Sequence, residues 1–151
     1  MATWGDLESE APEFAARVRG IFDSRRHKSL ATLRKEGSPR ISGIEVEFAD
    51  GQVVLGMMPG SRKLDDVRRD PRLAIHAQST DPPESNPSAW LGDAKISGHA
   101  VERPNTGEHP PGPRFRVDID EVVLTHLDPA ARELVIESWH PGRGLEVRRR
   151  T

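Results

Sequence analysis

Gly56-Met57-Met58-Pro59-Gly60-Ser61-Arg62-Lys63-Leu64-Asp65-Asp66-Val67-Arg68-Arg69-Asp70-Pro71-Arg72-Leu73-Ala74-Ile75 is the stretch that decides how this chain folds. It reads as the end of a strand, a tight turn, one short helix and the start of another strand. Asp70-Pro71 stops the helix, because proline has no amide hydrogen and restricts the residue before it. The turn brings Ser61, Arg62 and Lys63 together at the helix start. The first amides of a helix lack intrahelical partners and carry a partial positive charge. Serine suits the capping position, and two cationic side chains beside it suit a phosphate. The same triplet also fits a capped surface helix with solvated charges, and the local pattern leaves both readings open.

Outward from this stretch the chain is mostly strands. Residues from about Glu8 to His27 have helical spacing, with Phe14, Val18, Ile21 and Phe22 on one face. Ser29–Leu33 reads as a strand and Arg40–Phe48 as a second, with Ile41, Gly43 and Glu45 on one side and Ile44, Val46 and Phe48 on the other. Asp50-Gly51 is a hairpin signal before a third strand over Gln52–Met57. Further strands are expected at Leu73–Gln78, Ala94–Val101, Phe115–His126, Leu134–Trp139 and Leu145–Arg149, with proline-rich loops at Ser79–Ser88 and Arg103–Pro113. Seven or eight strands with one or two helices imply a mainly β fold built as an antiparallel barrel. Closure removes the free edges of so short a chain.

The chain of 151 residues is expected to form one domain, a helix over about 8–27 followed by a barrel over about 28–150. Only 34% of residues are hydrophobic and 30% are charged. Burial must therefore be concentrated, and a second copy of the chain is expected to supply more of it. The net charge of −2 gives no field favouring nucleic acid or an anionic membrane. Arg148-Arg149-Arg150 reads as a solvated basic run. There is no cysteine, so disulfides and thiolate catalysis are excluded. The first residues carry no apolar run like a secretory signal, and a cytoplasmic location is expected.

The ordered set Ala31-Thr32-Leu33-Arg34-Lys35-Glu36-Gly37-Ser38-Pro39-Arg40, a hairpin, Gly60-Ser61-Arg62-Lys63, Arg69-Asp70-Pro71-Arg72-Leu73-Ala74-Ile75 and Lys95-Ile96-Ser97-Gly98 resembles the pyridoxamine 5′-phosphate oxidase-like superfamily. The likeness covers about residues 12–102. It implies an FMN-binding split β-barrel that forms a homodimer with cofactor sites at the interface. It implies that Arg62 and Lys63, beside Ser61, hold the cofactor phosphate. Gly56 and Met57 would meet the flavin ring from the strand before the turn, and Arg40, Ile41 and Ser42 would lie along its other edge. Trp139, in Glu137-Ser138-Trp139, falls where a C-terminal tryptophan of the oxidases reaches the cofactor.

The resemblance also has departures. Glu45 stands where the oxidases have a lysine, Asp93 where they have a flavin-contacting glutamine, and Leu145-Glu146-Val147-Arg148 lacks the closing arginine–any–histidine signature. The likeness therefore extends to scaffold and phosphate turn, not to the vitamin substrate.

Other constellations point less far. His27, His76, His99, His109, His126 and His140 lack metal-ligand spacing, and no metal is expected. A haem carrier needs only one axial histidine, so that class stays open. Asp118, Asp120 and Glu121 fit an outward polar strand face. Trp90 and Trp139 suit either ring stacking or packing. The leading expectation is a flavin-dependent oxidoreductase using FMN and a small ring-shaped substrate. The deazaflavin coenzyme F-420 is the alternative, with Arg68, Arg69 and Arg72 as candidates for its anionic tail. A non-catalytic flavin or haem carrier and a ligand-free structural domain are the remaining classes.

The departures generate a first prediction. FMN-loaded protein should oxidise pyridoxine phosphate with a kcat/KM below ~10⁴ M⁻¹s⁻¹, the low end for ordinary enzymes. Steady-state formation of pyridoxal phosphate checks this, and a higher value would mean that the departures do not exclude the vitamin substrate.

Overall fold

The computed structural model describes residues 2–105, 107 and 112–151. The chain begins with two helices, α1 (Trp4–Glu10) and α2 (Pro12–Ser24). The single helix expected over about 8–27 is therefore replaced by two. Thr3 and Asp6 form a capping box that starts α1, with Thr3 N–H donating to Asp6 Oδ2 at 2.9 Å and Asp6 N–H to Thr3 Oγ1 at 3.0 Å. Pro12 breaks the run: the residue before it, Ala11, leaves the helical region at φ −140°, ψ 70°, and Pro12 opens α2. The apolar face of α2 is as its spacing indicates, with Phe14, Val18, Ile21 and Phe22 all buried.

Eight strands follow: β1 (His27–Leu33), β2 (Pro39–Ala49), β3 (Gln52–Gly56), β4 (Arg72–Gln78), β5 (Asp93–Arg103), β6 (Arg114–Leu127), β7 (Leu134–His140) and β8 (Gly144–Arg150). A third helix, α3 (Arg62–Arg69), lies between β3 and β4. The strand order β3-β2-β1-β4-β5-β6 closes on itself through a β3–β6 pairing, and β7 and β8 extend the sheet from the far half of β6. All pairings are antiparallel. The fold is thus mainly β, a closed six-stranded antiparallel barrel with two further strands and three α-helices among the described residues.

Local chemistry explains the path. Asp50 and Gly51, at φ 52° and 71°, make the two-residue turn of the β2–β3 hairpin, whose twist suits two positive φ angles. A bulge between Ser97 and Gly98 leaves Asp120 unopposed on β6. Trp4, Phe22 and Phe48 cluster, with Phe48 4.7 Å from Trp4 and 5.6 Å from Phe22 between ring centroids, and join the helices to β2. Leu30, Ile44, Leu55, Ile75, Ile96, Val117 and Ile119 fill the barrel interior. No described helix is long and apolar enough to cross a membrane.

Asp66 of α3 is 2% exposed, and its carboxylate ties three elements together. Oδ2 accepts from Thr32 Oγ1 of β1 and from Arg40 Nε of β2, each at 2.7 Å, and Oδ1 accepts from Arg69 of α3 at 2.9 Å. Burial pushes this carboxyl up, but the hydrogen bonds from Arg40, Thr32 and Arg69 and the charge of Arg40 outweigh it, so the carboxyl lies below its usual range.

A second prediction follows. Asp66→Ala leaves a buried hydroxyl and two guanidinium groups without their acceptor and should destabilise the fold by about 3 kcal/mol at pH 7. Because the folded carboxyl is held low, its contribution is complete above the ordinary aspartate value near pH 4 and is lost as pH falls through the folded value. Denaturant titrations from pH 7 to pH 3 should show the gap between wild type and Asp66→Ala narrowing on acidification. A gap independent of pH would contradict this account.

Candidate functional site

The outward face of β2 carries Ile41, Gly43, Glu45 and Glu47, because alternate strand residues share a face. Ile41 is 77% exposed. Beside this face lies a cavity of about 570 Å³, lined by His27 of β1, Gly43–Glu47 of β2, Val54 and Gly56 of β3, Met57, Met58 and Lys63, and Gly112, Pro113 and Arg114 across the barrel seam. The volume is in the range of cofactor and ligand sites.

The turn Met57–Ser61 places the start of α3 at this cavity. Ser61 N–H donates to Met58 O at 3.1 Å, which closes the turn. Lys63 lines the cavity, and its Nζ donates to Gly43 O at 2.5 Å. Ser61 occupies the capping position with extended backbone, φ −69° and ψ 150°. Its hydroxyl makes no capping bond and is buried without a partner, so the cap expected from the sequence is one of position only. Arg62 is exposed and has no side-chain partner among the described residues. The helix start thus carries first-turn amides and two cationic side chains, a donor set that fits a phosphate; of the three expected phosphate residues Lys63 lines the cavity, whereas Ser61 and Arg62 do not.

The other expected site residues divide. Gly56 and Met57 line the cavity; the Met57 side chain points into the core, and its amide donates to Pro113 O at 3.0 Å. A Cβ on Gly112 would come within 2.5 Å of the Met57 carbonyl, and Gly112 sits at φ +139°, so this close approach requires glycine. Arg40, Ile41 and Ser42 do not line the cavity. Arg40 is committed to Asp66, Ile41 continues the outward face beyond the cavity, and the Ser42 hydroxyl is buried without a partner. Trp139 is 1% exposed, packs in the core and lies apart from the other site residues.

Asp93 starts β5, outside the cavity, with His76 Nε2 at 3.5 Å. Of the histidines, His27 lines the cavity, while His76, His99, His126 and His140 lie outside it and face Asp93, Asp120, Glu137 and Glu121. His109 lies outside the described residues.

Sequence reasoning missed His27, Glu47, Val54, Met58, Pro113 and Arg114. The β2 alternation points to Glu47, which shares a face with Gly43 and Glu45. Arg114 needs the β3–β6 pairing that sets it opposite Gly56, and no local pattern announces that pairing. The wall it builds is charged but partly neutralised. Arg114 Nη2 donates to Glu47 Oε2 at 2.8 Å, whereas Glu45 has His27 Nε2 3.6 Å from its Oε1 and the Lys28 ammonium near enough to feel its charge, with no hydrogen bond among the described residues.

No protein-family model and no curated protein sequence matches the chain. Solved structures do. PhzG from Burkholderia lata, solved in complex with tetrahydrophenazine-1-carboxylic acid, is 14% identical with a TM-score of 0.67, over 98% of this chain and 95% of its own. A pyridoxamine 5′-phosphate oxidase-related, FMN-binding protein from Nostoc punctiforme is 12% identical with a TM-score of 0.60, over 96% of this chain and 97% of its own. An F-420 reductase is 13% identical with a TM-score of 0.51, over 69% of this chain and 94% of its own. At these identities the likeness is one of fold: the chain has the split-barrel architecture of the flavin-binding proteins related to pyridoxamine 5′-phosphate oxidase.

Proposed function

We propose that this chain is a flavin-dependent oxidoreductase that holds FMN by its phosphate and works on a small ring-shaped substrate. The observation that carries this reading is Lys63, in the first turn of α3, lining the cavity together with Met57 and Met58 of the preceding turn. Lys63, the first-turn amides, Ser61 and Arg62 would hold the phosphate. Gly43, whose missing side chain leaves open space, Val54 and the backbone of Gly56 and Met57 would give a planar ring a smooth wall. Met58, 76% exposed, would adapt its thioether to whatever lies beside it. Bound FMN supplies the hydride chemistry; the chain supplies binding, orientation and exclusion of water. No side chain is assigned as acid or base.

FMN is favoured over coenzyme F-420 by the state of the three arginines that an anionic tail would need. Arg68 is bound to Glu102, Arg69 to Asp66 and the Leu33 carbonyl, and Arg72 to Asp70. They also cluster towards the other end of α3, roughly 9 Å from its start at 1.5 Å per residue. The Asp70 carboxyl is pushed down to about 2 by its hydrogen bonds to the Arg72 side chain and backbone, so that pair stays charged at neutral pH.

We propose further that two copies associate over the outward barrel face. Ile41 and Met58, 77% and 76% exposed, are large apolar side chains beside the cavity, and a chain of low overall hydrophobicity gains by covering them. Location in the cytoplasm belongs to the same reading.

Two measurements test this. Replacing Arg62 and Lys63 together by alanine should weaken FMN binding by about 2–5 kcal/mol, the worth of two charge-assisted contacts. The fold should survive with only a small loss of thermal stability, since Arg62 is exposed and Lys63 gives up a single hydrogen bond to the Gly43 carbonyl while the Asp66 ties remain. Unchanged affinity in a fluorescence titration would remove the phosphate assignment. FMN that binds without accelerated turnover with any donor–acceptor pair would make the protein a carrier. Light scattering of FMN-loaded protein should give twice the 16.8 kDa chain mass; a stable monomer at micromolar concentration would end the dimer proposal.

A further inference from the structure

The charged side chains of the cavity wall are not equally satisfied. Arg114 lies against Glu47 at 2.8 Å, and Lys63 rests on the Gly43 carbonyl at 2.5 Å. Glu45, between them on the same face of β2, has a contact of only 3.6 Å to His27, beyond hydrogen-bond distance. Its side chain is 64% exposed, so the carboxylate can accept a bond from a ligand without breaking one to the protein. Strand geometry sets Glu45 about 7 Å along β2 from Gly43, where Lys63 docks. The wall between them at Gly43 carries no side chain, and a Cβ placed there would meet nothing within 4 Å.

We propose that Glu45 is the specificity-determining residue of this cavity and selects substrates carrying a cationic nitrogen, a protonated amine or amidinium on a planar ring. The proposal rests on the cavity being the cofactor and substrate site argued above. A ring lying against Val54 and Met57 displaces water from beside Glu45, and the attraction strengthens as the local dielectric falls. An N–H cation then donates a charge-assisted hydrogen bond to the carboxylate. A ring bearing a carboxylate meets repulsion at the same point. Glu45 takes no proton and forms no bond in this role; it positions the substrate and sorts it by charge.

Benzamidine, benzamide and benzoate share one ring and size and differ in charge, so they isolate this effect. Calorimetric titration at low ionic strength, with and without FMN, should rank them in that order, with benzamidine at least tenfold tighter than benzoate. Glu45→Gln should shrink that ratio below threefold at an unchanged thermal midpoint, since glutamine keeps the size of the side chain and the carboxylate makes no hydrogen bond among the described residues. Equal affinities, tighter benzoate, or a preference that survives Glu45→Gln would each overturn the assignment. If wild type sorts the three ligands but does not bind FMN, the flavin reading fails and the charge selection stands. If FMN binds and the three ligands are not sorted, the reverse holds.

Discussion

A carboxylate taken out of water must be given back its hydrogen bonds, and Asp66 receives three, from β1, β2 and α3 itself. This fixes where α3 lies against the barrel. Lys63, three residues earlier, then reaches the Gly43 carbonyl, so the helix is tied to β2 at two points. The direction of the helix start, and with it the donor set facing the cavity, follows from that pair of ties. Arg40 belongs to this arrangement: its guanidinium orients the helix that carries the site, and it stays out of the cavity.

What the amino-acid sequence reveals here is local. The alternation in β2, the Asp50-Gly51 turn and the sequence from Gly56 to Ile75 each announce their structure within a few residues, and they yield the barrel and the helix start with Lys63. Pro12 marks the break between the two helices; Phe14, Val18, Ile21 and Phe22 set the helical period only after it, while Trp4 and Leu7 bury α1 on the other side. The far wall of the cavity was out of reach. Arg114 meets Gly56 across 57 intervening positions, and that register follows from barrel closure. Trp139 shows the opposite failure, since a position suggestive of ring stacking serves the core.

The fold neighbours differ in what they bind, and a shared barrel does not choose between them. The choice falls to a few side chains on one outward strand face. On β2 the inward residues, Ile44 and Val46 among them, are held by the interior, whereas Gly43, Glu45 and Glu47 are free to vary without disturbing it. That separation lets a shared architecture carry a changeable binding wall, and here it holds one carboxylate, Glu45, with no hydrogen-bond partner among the described residues.

The seam between β3 and β6 consists of three residue pairs, Val54 with Arg116, Leu55 with Phe115 and Gly56 with Arg114, against seven between β1 and β2. Gly56 and Arg114 belong both to that seam and to the cavity wall. A molecule bound there would span both sides of the join, and its occupancy would favour closure of the barrel. Such a ligand would act as a clasp, and amide exchange along β3 would slow as its concentration rises.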